Sequence, residues 1–173
     1  MTSPRHDPAN MTIDDLNLYD HDRFVEMAGW VFEHSPWVAE RAWEQRPFAS
    51  VEDLHSKMVA QVDAARPDEQ LALLRAHPDL GTRARISSAS TEEQAGAGLD
   101  QLTLEEFDLL SGLNSAYRDK FGFPFLFAVK GSTKYDILSA LERRLEAGPE
   151  QEFREALVQV YRIAGFRLHD IFE

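Results

Sequence analysis

Apolar residues recur three or four positions apart along most of the chain, and polar residues fill the positions between them. Phe24, Met27 and Val31 form one such series, and Leu54 and Met58 begin another. No stretch shows the strict alternation and hairpin turns that are typical of half-buried strands. The pattern predicts an all-α fold, a single irregular helical bundle of about eight helices without internal repeats.

Capping residues divide the pattern into separate helices. Residues 90–93 and 103–106 each place a serine or threonine three positions before a glutamate, which is the sequence of a capping box. Ser35 before Pro36 is typical of an N-cap followed by the first helical residue, and Ser132 or Thr133 can cap a further helix.

The 173 residues suit one domain. Residues 1–11 are polar and contain prolines, so we expect a flexible tail followed by a helical domain at 12–173. The N-terminal stretch has no apolar core of a signal peptide, and we expect a cytoplasmic protein.

The charge balance excludes several functions. Thirty acidic residues against eighteen basic ones give a net charge of -12, which repels nucleic acid and anionic membranes. Cysteine is absent, and the six histidines show no HxxxH or HxH spacing, so the sequence predicts no metal site.

His77 is a candidate acid/base residue. The helix predicted at 68–76 must end there, because Pro78 disfavours helical geometry in the residue before it. The histidine is then presented at a helix exit, where it can reach a ligand. The alternative is a structural role, in which His77 offers its charge to the terminal carbonyl groups of the helix.

The stretch 90–94 has two interpretations. Glu93 can be the carboxylate of a capping box, or the helix start can form a cradle whose free backbone N–H groups bind an anionic ligand.

The segment 121–129 is almost entirely apolar and is interrupted by Gly122 and Pro124. A buried extended segment fits this composition, and its phenylalanines need no explanation beyond the core. Its unpaired backbone groups could instead bind a small ring with amide-like edges.

Arg167 falls on the apolar face of the last helix, together with Leu157, Val160 and Ala164. An inward arginine needs an anionic or carbonyl-rich partner. That partner is either a buried structural carboxylate or a planar substrate that the guanidinium grips with two parallel hydrogen bonds.

Taken in order, these motifs resemble a known family over about residues 12–172. The motifs are Phe24-Val25, His77-Pro78-Asp79-Leu80, residues 90–94 with Ala97-Gly98-Leu99, and Phe121-Gly122-Phe123-Pro124-Phe125. They are similar to those of the 2-oxo-4-hydroxy-4-carboxy-5-ureidoimidazoline (OHCU) decarboxylases of urate breakdown. The resemblance implies an all-helical enzyme without cofactor, commonly a homodimer, that releases carbon dioxide and forms (S)-allantoin.

The resemblance also assigns roles. His77 and Glu93 would be catalytic. The substrate-binding positions would be Pro78, Ser90, Thr91, Glu92, Glu93, Gln94, Phe125, Leu126, Phe127, Ala128, Val129 and Arg167.

Two further hypotheses concern partners. The enzyme could associate loosely with the hydrolase that precedes it in the pathway. The competing hypothesis is a non-catalytic acidic module that grips a partner protein through residues 121–127 or through Trp37 and Trp43.

Overall fold

The structure, a computed structural model, describes residues 11–82 and 87–172. Within those ranges it consists of nine α-helices and no strand, which confirms the all-α prediction. A 3₁₀ turn, Gly29–Val31, follows the second helix. The helices are α1 Ile13–Asn17, α2 His21–Ala28, α3 Trp37–Trp43, α4 Val51–Asp63, α5 Pro67–Arg75, α6 Ser88–Gly96, α7 Leu104–Phe121, α8 Lys134–Arg144 and α9 Pro149–Phe172. The predicted tail lies outside the described residues except for Met11, which is buried.

The chain forms two compact units. Unit 1 comprises Met1–Gln70 and Tyr161–Glu173. Its core contains Phe24, Leu54 and Met58, each fully buried, as their helical spacing predicted.

Unit 2 comprises Leu71–Val160 and contains most of the predicted site residues. Its longest complete helix is α7, which buries Leu110, Asn114 and Tyr117 on one face. The predicted stripe included Leu110 and Tyr117, but the position between them is taken by the polar side chain of Asn114. The helix ends at Gly122, whose φ of 82° is the left-handed geometry that glycine adopts at helix ends.

The predicted caps were right in two helices and wrong in two. Thr103 and Thr133 cap α7 and α8, each in a complete capping box. In α6, however, the N-cap is Ser87, whose side chain accepts from the backbone N–H of Ser90 over 3.2 Å. Ser90 is therefore the third helical residue and not the cap.

The second wrong cap is Ser35. Its hydroxyl donates to the carbonyl of Glu33 over 2.9 Å, and Pro36 takes the N-cap position of α3 without a side-chain hydrogen bond. A local turn thus satisfies the serine, as short hydroxyl side chains often do outside helices.

Candidate functional site

His77 lies just beyond the end of α5, as Pro78 predicted, and is 6% exposed. Its ring nitrogen Nδ1 lies 2.9 Å from the carbonyl oxygen of Leu73 in the last turn of α5. A carbonyl oxygen can only accept, so Nδ1 must carry the proton. A bond from His77 to the carbonyl groups at the helix end was expected for a structural role. The same bond also fixes the neutral ring in the tautomer that is protonated at Nδ1. In the neutral ring, Nε2 has a lone pair that can take a proton.

Three contacts hold the residues that follow His77. The side chain of Asn114 donates to the carbonyl of Leu80 over 2.9 Å. Asp79 pairs with Arg118 of α7 over 2.9 Å. The backbone N–H of Gly81 donates to Oε1 of Gln94 in α6 over 2.8 Å. Residues 79–81, which follow His77, are thus bonded to both α6 and α7.

Helix α6 separates its predicted site residues into two groups. Ser90 and Gln94 are buried, one turn apart, and Glu93 beside them is partly exposed. Thr91 and Glu92 are exposed.

The predicted cradle of free N–H groups at 90–94 needs correction. The N–H of Thr91 already donates to the carbonyl of Ser87 over 2.9 Å, because α6 begins earlier than the capping pattern suggested. The first turn lies at residues 88–90, and the N–H of Ser90 within it donates to the side chain of Ser87.

The segment 124–129 is neither helix nor strand, and Phe125, Leu126, Ala128 and Val129 are buried. Its backbone is bonded to side chains of two helices. The guanidinium of Arg144 in α8 donates to the carbonyl of Leu126, and the N–H of Ala128 donates to Oε1 of Gln159 in α9 over 2.9 Å.

Arg144 belongs to a buried polar cluster with Tyr117 and Glu152. The hydroxyl of Tyr117 and Nε of Arg144 each donate to Oε1 of Glu152 over 2.5 Å. The guanidinium also lies 4.6 Å from the ring centre of Phe125. Burial, and next the bond to Glu152, raise the pKa of Tyr117 well above its usual value, so this residue stays neutral.

Four buried polar residues of this region were not predicted from the sequence: Arg144, Glu152, Gln159 and Asn114. The burial of Arg144 could have been predicted, because it follows Ile137 and Leu141 at helical spacing on the buried face of α8. Arg167 was predicted as an inward residue from the same kind of spacing in the last helix.

Arg167 lies in unit 1, where its side chain is 4% exposed. Its Nη2 is 2.9 Å from Oε2 of the buried Glu33, and its Nη1 donates to the carbonyl of Trp30 over 3.3 Å. Of the two alternatives for this residue, the structure shows the buried structural carboxylate. Its contact with a substrate stays a prediction.

An open groove of about 420 Å³ lies in unit 2, beside the start of the Phe-Gly-Phe-Pro-Phe motif. It contains neither His77 nor Glu93. Its apolar lining residues are Leu71, Phe121, Phe123, Pro149 and Phe153.

Over residues 11–82 and 87–172, no three histidine, aspartate or glutamate side chains gather as metal ligands would. None of the helices in these ranges is long and apolar enough to span a membrane.

Comparisons with known proteins give a consistent result. The chain is 50% identical over 160 residues to the uric acid degradation bifunctional protein PucL of Bacillus subtilis, covering 92% of this chain and 32% of that protein. It is 47% identical over 162 residues to the 2-oxo-4-hydroxy-4-carboxy-5-ureidoimidazoline decarboxylase of Haloferax volcanii, covering 94% and 96%. The chain thus spans about a third of the length of the first relative and nearly all of the second.

A solved structure agrees with these relatives. The crystal structure of an (S)-allantoin synthase superposes with a TM-score of 0.78 at 35% identity, covering 94% of this chain and 54% of that one. The family model described as OHCU decarboxylase matches residues 17–169, and the chain therefore belongs to the OHCU decarboxylase family.

Proposed function

We propose that the protein is a cofactor-independent decarboxylase that converts OHCU to (S)-allantoin with stereospecific protonation. The observation that carries the proposal is the geometry of His77. Its Nδ1 is hydrogen-bonded to the carbonyl of Leu73, and its side chain is buried. It also occupies the position in the His77-Pro78-Asp79-Leu80 motif for which the family resemblance implies a catalytic role. Family membership and the near full-length match to the Haloferax volcanii decarboxylase support the same activity.

The chemistry needs no external electron sink. In the substrate, the carbon that bears the carboxylate also bears a hydroxyl group and adjoins a carbon–nitrogen double bond. When the carbon–carbon bond breaks, carbon dioxide leaves, and the electron pair forms a new ring double bond while the ring nitrogen takes a proton from solvent water. The hydroxyl proton then leaves, and a proton is added to the carbon that bears the ureido group. The product is allantoin, and the face that receives the proton sets its handedness.

In this scheme the Nε2 atom of His77 moves protons. The neutral ring takes the hydroxyl proton, and the resulting imidazolium donates a proton to one face of the ureido-bearing carbon. The bond from Nδ1 to Leu73 holds the ring in one orientation through both transfers. A fixed donor explains how a single enantiomer could be formed.

Glu93 has a supporting role in the proposal. It lies on α6 next to the buried Ser90 and Gln94, and it is partly exposed, as a residue at the edge of a site would be. We propose that its carboxylate accepts a hydrogen bond from the hydroxyl or ureido group of the substrate. Backbone groups of residues 125–129 would bind the ring. Contacts of Pro78, Thr91, Glu92 and Arg167 with the substrate stay predictions.

The test uses His77→Asn. The asparagine side chain can keep a donor near the position of Nδ1 and so bond to Leu73, but it has no atom equivalent to Nε2. We expect a folded protein that forms (S)-allantoin at least about 100-fold more slowly than the wild type. The matched control is His34→Asn, because His34 is exposed and has a φ of 47°, which asparagine tolerates. Activity of His77→Asn equal to that of the control would overturn the proposal.

The non-catalytic module finds less support. In its first proposed contact surface, residues 121–127, Phe123 and Phe125 are only 3% and 0% exposed. The ring of Trp37 is covered by Arg41 at 4.5 Å, and the ring of Trp43 by Arg46 at 3.8 Å.

We further propose that the enzyme forms a homodimer, works in the cytoplasm and associates with the hydrolase that precedes it in the pathway. The bifunctional relative from Bacillus subtilis supports the last point, because the match occupies 32% of that protein and leaves room for a second activity. Light scattering of the purified protein, alone and mixed with the hydrolase, tests both associations.

A further inference from the structure

Two helices hold the backbone of segment 124–129 at residues 126 and 128, and the carbonyl of Val129 accepts from the N–H of Ser132 over 3.0 Å. The carbonyl of Leu126 accepts from Arg144, and the N–H of Ala128 donates to Gln159. In an extended chain, the backbone polar groups of residues two apart point to the same side. The two helices α8 and α9 therefore bond one edge of this segment.

The opposite edge carries the backbone groups of Phe125 and Phe127. Their rings stack at 6.0 Å with an angle of 16° between planes, as expected for side chains two residues apart on an extended backbone. Within the described ranges, no hydrogen bond is made by the N–H or the carbonyl of Phe127. Phe127 is partly exposed, and the absence of a partner for its N–H and carbonyl makes this edge suited to a ligand.

On the basis of the function proposed above, we infer that Arg144 and Gln159 are positioning residues that turn the N–H and carbonyl of Phe127 toward the substrate. A cyclic ureide presents a carbonyl and an N–H side by side. One backbone N–H and one carbonyl on the same edge complement that pair. Of the substrate contacts predicted for residues 125–129, we therefore assign those to the backbone edge of Phe125 and Phe127. The backbone groups of Leu126 and Ala128 bond to side chains of α8 and α9 instead.

The arginine is suited to this role because its own position is fixed. Its Nε bonds to Glu152, which also accepts from Tyr117, while its Nη1 reaches the carbonyl of Leu126. A lysine has a single charged head and cannot make both bonds in this planar arrangement. Replacement by lysine would therefore keep the charge of the cluster but release the segment.

The glutamine is held by a second bond. Its Nε2 donates to Oε1 of Glu155, one helical turn earlier, over 2.8 Å, so that Oε1 faces the N–H of Ala128. A methionine at this position has a similar length but offers that N–H only a weakly accepting thioether sulfur.

The first test is direct binding of (S)-allantoin, followed by the backbone amide signals of the ¹⁵N-labelled wild-type protein. We expect the Phe127 amide to shift on binding and the Ala128 amide to shift far less, because Gln159 already holds it. A large shift at Ala128 with none at Phe127 would overturn the inference. Since this readout needs no turnover, it stands apart from the proposed activity, which fails only if the wild type produces no (S)-allantoin.

The second test compares Arg144→Lys and Gln159→Met with matched variants of exposed neighbours, Arg143→Lys and Gln151→Met. We expect KM to rise about tenfold in the first pair with a much smaller change in kcat, and no change in the second pair. Unchanged KM in well-folded Arg144→Lys and Gln159→Met would contradict a positioning role.

A double variant distinguishes the loss of positioning from a general loss of folding. Gln159→Glu alone places two carboxylates together, whereas Gln159→Glu with Glu155→Gln exchanges donor and acceptor and keeps an oxygen for the N–H of Ala128. We expect the double variant to recover a KM within about threefold of the wild type. Failure to recover in a protein with a wild-type urea midpoint would count against the inference.

Discussion

The guanidinium of Arg167 lies 2.9 Å from the carboxylate of Glu33, and their side chains are 4% and 1% exposed. Removing one partner of such a pair leaves the other charge buried, so we expect Arg167→Met to lower the free energy of unfolding by about 3–5 kcal/mol. Glu33→Gln should also destabilise. The double variant should lose much less than the sum of the two, by urea unfolding. Additive losses would show that the two side chains do not stabilise each other.

Gly81 combines a positive φ with close packing. Its φ is 72°, and an added Cβ would lie 2.5 Å from Cδ2 of Leu110. Gly98 is a matched control, with a φ of 81° and open space around the Cβ position. We expect Gly81→Ala to cost about 1–3 kcal/mol more than Gly98→Ala, because overpacking adds to the backbone strain that both share. Equal thermal shifts in the two variants would contradict this packing argument.

The bond between Glu106 and Lys134 makes stability depend on pH. The side chain of Lys134, followed by the backbone N–H of Thr103, lowers the pKa of Glu106 below its ordinary 4.5. A carboxyl whose pKa is lower in the folded state stabilises fully above its unfolded pKa and loses that effect as the pH falls through the folded one. The difference in urea midpoint between the wild type and Glu106→Gln should therefore be constant near neutral pH and shrink below about pH 4.5.

The control for this experiment is Glu142→Gln, at an exposed position of α8. Its midpoint should follow that of the wild type throughout. A difference in urea midpoint between the wild type and Glu106→Gln that does not change with pH would contradict the attribution of this pH dependence to Glu106.

Tyr117 should resist ionisation in the folded protein. Burial and its bond to Glu152 raise its pKa far above the ordinary 10.0, so its stabilising effect persists up to that pH and is lost as the pH rises further. We expect Tyr117 to contribute tyrosinate absorbance at alkaline pH only once the protein unfolds. Tyr117→Phe should abolish that late increase and cost about 1–3 kcal/mol in unfolding free energy. An identical titration in native and unfolded wild type would contradict this account.

Much of the fold followed from the sequence because helical spacing is a local signal. The stripe through Leu54 and Met58 is buried as predicted, and the caps at Thr103 and Thr133 are present. The predicted N-cap at Ser90 was wrong because Ser87, three residues earlier, can also cap α6. Ser87 satisfies a free N–H first, and a capping pattern cannot tell which of two nearby hydroxyls does so.

The candidate site was predictable only in part. Pro78 indicated that His77 leaves the helix, which is a local effect. The bond that selects the tautomer of His77 is also local, because Leu73 lies four residues earlier in the chain. The bonds that join Arg144 and Gln159 to residues 126 and 128 depend instead on packing between residues 18 and 31 positions apart. The inward position of Arg167 indicated that a buried anionic or carbonyl partner must exist, but its spacing could not show that this partner is Glu33.

The central claim is that Nε2 of His77 delivers the proton that sets the handedness of allantoin. Its most direct test follows the circular dichroism of allantoin after 5-hydroxyisourate and its hydrolase are mixed with the wild type, His77→Asn or His34→Asn. We predict rapid growth of the (S)-allantoin signal with the wild type and His34→Asn, and only the no-enzyme signal with folded His77→Asn. Enantiopure (S)-allantoin formed by His77→Asn at the wild-type rate would contradict the account.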